Sequence, residues 1–167
     1  MALTFTRPVI CLILAMGLPT LPANAFDQAD VNGLEQTNTC FRCDLSDADL
    51  AGWDLSDAQL WESQLAGADL SDAKLTGANL AKADLTGAVL KNAGLTAAML
   101  NGATLNGADL SGANLEGADL GSADFVETDL TGANLLRADL PRFARWETAV
   151  LCRTIMPNGN IENSGCP

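Results

Sequence analysis

Four cysteines in the chain beyond residue 25 are the side chains best equipped for chemistry. Cys40 and Cys43 make a Cys-x-x-Cys pair, a spacing used by redox dithiols and by one half of a zinc site. A zinc site needs a second pair of ligands, and the sequence contains no His. A thioredoxin-like dithiol needs a βαβ surround, and no such pattern flanks Cys40. Cys152 and Cys166 stand fourteen positions apart near the C-terminus, and four cysteines permit three connectivities. Nucleophilic catalysis lacks its parts: Ser and Thr are numerous, but no His is there to serve as a base and Tyr is absent. The acidic residues remain, 21 against 9 basic ones, giving a net charge of −12.

What positions these groups is a register. From Leu45 to Leu140 every fifth residue is Leu, with Phe125 the single substitution. Two residues before each, Trp53 excepted, stands a small residue, mostly Ala, as at Ala48, Ala68, Ala78, Ala108, Ala118 and Ala138. On an α-helix, five residues advance about 500°, so the leucines would drift by roughly 140° per repeat and never form a stripe. On a straight strand an odd period sends successive leucines to opposite faces. The pattern works if the chain turns once per repeat. Ala68-Asp69-Leu70 then reads inward, outward, inward, and Ser71-Asp72, Thr76-Gly77 and Thr86-Gly87 make corners, which Gly, Asn, Asp and Ser suit. Turns of one hand close into coils that stack by backbone hydrogen bonds, and stacking supplies the core that one repeat lacks.

Ala48-Asp49-Leu50, Ala78-Asn79-Leu80, Ala113-Asn114-Leu115 and Ala138-Asp139-Leu140 match the pattern A-(D/N)-L-x-x, and the chain resembles the pentapeptide-repeat family. The resemblance implies an all-β fold, a right-handed quadrilateral (four-sided) parallel β-helix solenoid with short helical or irregular caps at both ends. It implies four repeats per coil, so that Leu50, Leu70, Leu90, Leu110 and Leu130 stack as a core ladder. Five coils at the strand spacing of about 4.8 Å give a rod of roughly 25 Å.

Residues 1–25 differ in kind. Arg7 precedes the apolar run from Val9 to Leu18, and Ala23-Asn24-Ala25 fits a small-x-small cleavage site. The run is short for a membrane span, which takes about 20 residues. This predicts a signal peptide whose removal leaves residues 26–167 with no stable membrane anchor. Residues 26–39 precede the register, and Ala29 to Leu34 are expected to make a short helix or turn over the first coil. The repeats occupy 40–140. Cys40 takes the leucine phase and Cys43 the alanine phase, so both point inward, packed as small apolar residues or joined as a local disulfide. Family members that carry a Cys-x-x-Cys just before the first good repeat support that reading. Residues 141–167 form a C-terminal cap: Pro141 and Arg145 break the register, Phe143, Trp146 and Val150 supply bulk, and the tail turns at Pro157 to Gly159. An exported protein with Cys152 and Cys166 outside the register is expected to bridge them, closing a loop for about 3 kcal/mol in the chain-entropy model. Lumenal members of the family resembled also cap this end with helices and a disulfide.

Most acid falls at outward repeat positions, as at Asp49, Asp69, Asp84, Asp109, Asp119, Asp129 and Asp139. A solvated surface whose like charges resist fibre stacking accounts for it. The sharper reading is a mimic of duplex DNA, as proposed for family members that protect DNA gyrase, but such a target is cytosolic and this chain carries an export signal. Between Asp84 and Asp109 no acid occurs: the outward residues are Val89, Gly94, Met99 and Thr104, with Lys91 the one charge. This neutral waist is either drift or a lateral contact site, with Val89 and Met99 its anchors. Carboxylates on adjacent coils would lie near the spacing of a retaining glycosidase pair, but on a convex surface without a cleft, and no loop supplies the oxygens calcium prefers. Trp53 replaces an inward Ala near the N-terminal end, where its ring can plug the core. Trp61 takes a corner and is expected to be exposed, a second candidate anchor.

The sequence thus predicts a non-enzymatic structural or protein-interaction module without cofactor or metal, monomeric or weakly dimeric, binding an unidentified protein and no nucleic acid. Its compartment is the thylakoid lumen or periplasm, by resemblance to exported cyanobacterial members. The alternative from a different class is a redox-active dithiol protein using Cys40 and Cys43.

Overall fold

The computed structural model describes residues 26–141 and 148–167. The expected leader at 1–25 and the bulky residues Phe143, Arg145 and Trp146 lie outside the described residues.

The five-residue register builds a parallel stack with an offset of twenty. Thr39 bridges Gln59, Asp44 bridges Gln64, Asp49 bridges Asp69 and Asp54 bridges Lys74, and the same four series continue to Asp139. Each bridge is one residue wide. Extended strands do not form in the repeats, because the chain turns again two residues after every bridge.

Within each repeat the small residue and the Leu point inward. Leu50, Leu70, Leu90, Leu110 and Leu130 are fully buried, as are Ala68, Ala78 and Ala118. Phe125, the one substitution in the leucine phase, is fully buried too. The buried polar side chains stand at inward positions, and each has a carbonyl to donate to. Ser63 Oγ donates to Cys40 O at 2.6 Å, Thr128 Oγ1 to Leu105 O at 2.8 Å, and Thr154 Oγ1 to Leu130 O at 2.7 Å. A buried hydroxyl left without such a partner would destabilise the core.

The backbone of a repeat is satisfied mostly by its neighbours in the stack. Leu50 N–H donates to Asp69 O at 2.8 Å, Gly52 N–H to Ser71 O at 2.8 Å, and Asp69 N–H to Ala48 O at 2.9 Å. Inside the repeat, Trp53 N–H closes the corner on Leu50 O at 3.1 Å. The second corner residue has positive φ throughout, from Arg42 (57°) and Asp47 (58°) to Gly132 (69°) and Arg137 (60°). An i to i+3 bond with positive φ at the third residue is the pattern of a type II turn, and it favours Gly and Asn there.

Helix α1 (Gln28–Thr37) packs on the first coil. Asp27 caps it, accepting Ala29 N–H at 2.8 Å, and Asn38 ends it in the left-handed region. Leu34 is buried with the repeat core, and Asp27 N–H donates to Asp44 O at 3.0 Å.

At the other end the tail continues the stack with an offset of 21: Asp129 bridges Val150 and Asn134 bridges Ile155. Strand β1 (Thr154–Ile155) lies between the last repeats and β2 (Ile161–Glu162), with which it pairs antiparallel. Cys152 is bonded to Cys166, with Cα atoms 4.7 Å apart. The closure is tight, since a Cβ on Gly165 would come within 3.0 Å of Leu151 N. Among the described residues no helix is long and apolar enough to cross a membrane.

Candidate functional site

The outward Asp and Asn side chains have a task that the sequence reading missed. Four of the five N–H groups of a repeat go to carbonyls, which leaves that of the first corner residue. The outward carboxylate two residues earlier accepts it: Asp49 Oδ1 from Ala51 at 3.2 Å, Asp69 Oδ1 from Ser71 at 2.9 Å, Asp129 Oδ1 from Thr131 at 2.8 Å. Asn79, Asn114 and Asn134 do the same for Ala81, Glu116 and Leu136. This local bond from side chain to backbone explains why the position takes Asp or Asn. The signal was present in the D/N alternation itself, since only an acceptor shared by both residues makes them equivalent.

Three of these acids, Asp54, Asp69 and Asp109, ionise more easily than an ordinary carboxyl. Hydrogen bonds from the Ser71 hydroxyl and N–H hold Asp69 below the usual carboxylate range. At Asp54 the hydroxyl and N–H of Ser56 do so, with Lys74 adding to them. Partial burial pushes Asp109 up, but the Ser111 hydroxyl, its N–H and Lys91 outweigh that and leave it lowered. Carboxylates bonded in this way to their own backbone are structural groups, and nothing in their geometry prepares one as a general acid.

The neutral waist lies in mid-stack. Val89 bridges Asp69 and Asp109, and Met99 bridges Asn79 and Asp119, so each hydrophobic residue interrupts a polar series. Val89 is half-buried, while Met99 is 40% exposed. Of the described residues, the other large exposed apolar side chains are Phe41 in the first coil and Ile161 in the final hairpin. Lys91 does not leave the waist positive, because Asp109 Oδ2 holds its Nζ at 3.1 Å.

Trp61 is less exposed than its corner position predicts. It is half-buried, with the Arg42 guanidinium carbon 5.1 Å and Lys82 Nζ 5.5 Å from its ring centroid. Glu62 ties the two cations together, accepting from Arg42 at 2.8 Å and Lys82 at 3.5 Å. Arg42 is the leading cause that holds the Glu62 carboxyl below its ordinary value. Residues 42, 62 and 82 are second corner residues of successive coils, so the cluster runs along one edge of the stack. The half-buried Trp53 packs against the core.

Cys40 is buried and Cys43 half-buried, and their sulfurs are bonded across the first corner with Cα atoms 5.4 Å apart. Asp30 of α1 reaches the same place. Its Oδ2 accepts Asp44 N–H at 2.8 Å, and its carboxylate and the two sulfurs lie within 4.8 Å of one another.

The pentapeptide-repeat family model matches residues 43–80, 68–107 and 108–143. A solved pentapeptide repeat protein from the Arabidopsis thaliana thylakoid lumen is similar at 32% identity, over 57% of this chain and 68% of that one, with a TM-score of 0.54. HetL, involved in heterocyst differentiation regulation in the cyanobacterium Nostoc, is 36% identical over 74% of this chain and 68% of its own, with a TM-score of 0.32. A pentapeptide repeat protein from the cyanobacterium Cyanothece is 26% identical over 73% of this chain and 97% of its own, with a TM-score of 0.43. No curated protein matches the chain. The register, the offset of twenty, the family model and the thylakoid-lumen structure agree on a right-handed β-helix, and the chain belongs to the pentapeptide-repeat family.

Proposed function

We propose that this chain is a non-catalytic protein-interaction module of an exported compartment, thylakoid lumen or periplasm. It acts as a rigid four-sided rod that presents one lateral contact site. Residues 1–25 serve as the leader, 26–39 and 141–167 close the two ends, and the repeats at 40–140 carry the contact. The observation that carries this reading is Met99, a 40% exposed apolar side chain in mid-rod, on a coil whose outward positions bear no carboxylate. Desolvation costs least there, because stripping water from a carboxylate is far more expensive than covering a thioether. The thylakoid-lumen relative and the two disulfides support the compartment.

A DNA mimic is less well supported. Along one wall the outward series reads Asp49, Asp69, Val89, Asp109, Asp129, broken at its centre, and along the next it reads Asp54, Lys74, Gly94, Asn114, Asn134. Neither is a continuous row of charge like a phosphate backbone.

Proximity labelling from the native exported compartment tests the proposal. A labelling enzyme fused to this chain is expected to mark a recurrent protein that the double variant Val89→Asp, Met99→Asp fails to mark. If wild type marks only what the unfused enzyme marks in that compartment, the reading is overturned.

A further inference from the structure

We propose that the N-terminal end of the rod is a redox-gated metal site, in which Asp30, Cys40 and Cys43 bind one thiophilic divalent cation once the Cys40–Cys43 bond is reduced. Among the described residues this is the one place where three Cys, Asp, Glu or His ligand groups converge, all within 4.8 Å of one another. Among the same described residues the second bridge, Cys152–Cys166, has no third ligand of this kind.

The geometry suits the chemistry. Cys40 and Cys43 flank a two-residue corner with Arg42 at φ 57°, and two cysteines separated by two residues are the usual half of a zinc site. With Zn–S bonds of about 2.3 Å, two sulfurs on one tetrahedral ion stand roughly 3.7 Å apart. Rotation of the freed side chains reaches that separation, with the Cα atoms at 5.4 Å. The third ligand arrives from a different element and is already oriented. Asp30 Oδ2 is fixed by the Asp44 N–H at 2.8 Å, and a carboxylate has a second oxygen to offer. A ligating carboxylate is normally held by just such an outer hydrogen bond. The fourth position faces solvent, since Cys43 and Asp30 are only half-buried.

Each step balances. An external dithiol transfers two electrons and two protons to the Cys40–Cys43 disulfide, leaving two protein thiols and a disulfide in the reductant. The divalent cation then displaces two protons from the thiols and takes both thiolates with the Asp30 carboxylate. Oxidation by an external disulfide reverses the order and expels the ion.

Cadmium chloride, added to the full chain with and without prior phosphine reduction, provides the test. The reduced protein is expected to take up one cadmium per chain at this end, with an ultraviolet sulfur-to-metal charge-transfer band, and the oxidised protein none. Cys43→Ser should abolish the band, whereas Cys152→Ser with Cys166→Ser should keep it. Asp30→Asn retains an acceptor for the Asp44 N–H, so the fold should persist while affinity falls at least about tenfold. The proposal fails if the reduced protein shows no band, if oxidised protein binds equally well, or if Asp30→Asn binds as tightly as wild type.

Discussion

Asp69 Oδ1 accepts the Ser71 N–H at 2.9 Å, and that bond assigns a structural role to the outward carboxylates of this chain. The acid lines the rod because the first corner amide of each repeat has no carbonyl within reach. Its negative charge is in part a consequence of this local bond, which Asn supplies equally well at Asn114.

Asp69→Ala should therefore destabilise the protein by about 0.5–1 kcal/mol, the small value reflecting an exposed corner where water replaces the lost acceptor. Asp69→Asn should cost much less. Chemical denaturation of the two variants checks this, and equal losses would mean that the charge rather than the acceptor matters.

The same bond sets a pH dependence. Asp54 and Asp69 have lowered folded values, through the hydroxyl and N–H of Ser56 and Ser71 in turn. A depressed folded value contributes stability above the unfolded value, about pH 4, which is lost as pH falls through the folded value. Relief of general repulsion on acidification acts in the opposite direction, so the difference between proteins isolates the effect. Wild type should lose stability relative to Asp69→Asn between pH 5 and pH 2.5 in thermal melts. A constant difference across that range would contradict the assignment.

The inward ladder tolerates far less. Leu110 is fully buried, and Leu110→Asp places a charge in an apolar interior without a partner, a loss of several kcal/mol. Thr131→Asp, at a first corner position, should cost under about 1 kcal/mol. Comparable melting points for the two variants would refute the register.

Corner strain offers a gain. Ala97 holds φ 55°, a left-handed conformation that costs an L-residue about 1–2 kcal/mol. Gly adopts it freely, at an entropic cost in the unfolded chain of about 0.4–1 kcal/mol. Ala97→Gly should stabilise by up to about 1 kcal/mol, a rise of roughly 2–4 °C in melting temperature. A fall in melting temperature would count against this turn geometry.

The period of five made the inward ladder and the corners legible, because only a chain that turns once per repeat keeps Leu50 and Leu70 on one interior. The corner bond of Asp69 is harder to read, since an outward charge is equally well explained by solvation and only the D/N equivalence points to a shared acceptor. The cation contacts of Trp61 are not legible in the sequence, because Arg42 and Lys82 are 19 and 21 positions away. Only a corner column with a spacing near twenty brings them to its ring. Asp30 lies outside the register altogether, and nothing in a five-residue pattern locates a helical carboxylate beside Cys40 and Cys43.

The waist separates acceptor from charge in one experiment. Val89 and Met99 bear no oxygen, so the corner amides of Lys91 and Asn101 lack the side-chain acceptor that Asp69 gives Ser71. Val89→Asn with Met99→Asn restores both acceptors without charge and should stabilise the rod by about 1 kcal/mol in total. Val89→Asp with Met99→Asp restores them too, but sets like charges between Asp69 and Asp109 and beside Asp119, so its gain should be smaller. If the waist is a docking surface, the partner must strip water from whatever stands there, and the carboxylates resist this more than the amides. The Asp pair should abolish partner capture while the Asn pair weakens it, with both variants folded by circular dichroism. Equal capture by wild type and both variants would mean that the hydrophobic residues at 89 and 99 are drift in the repeat and the contact lies elsewhere.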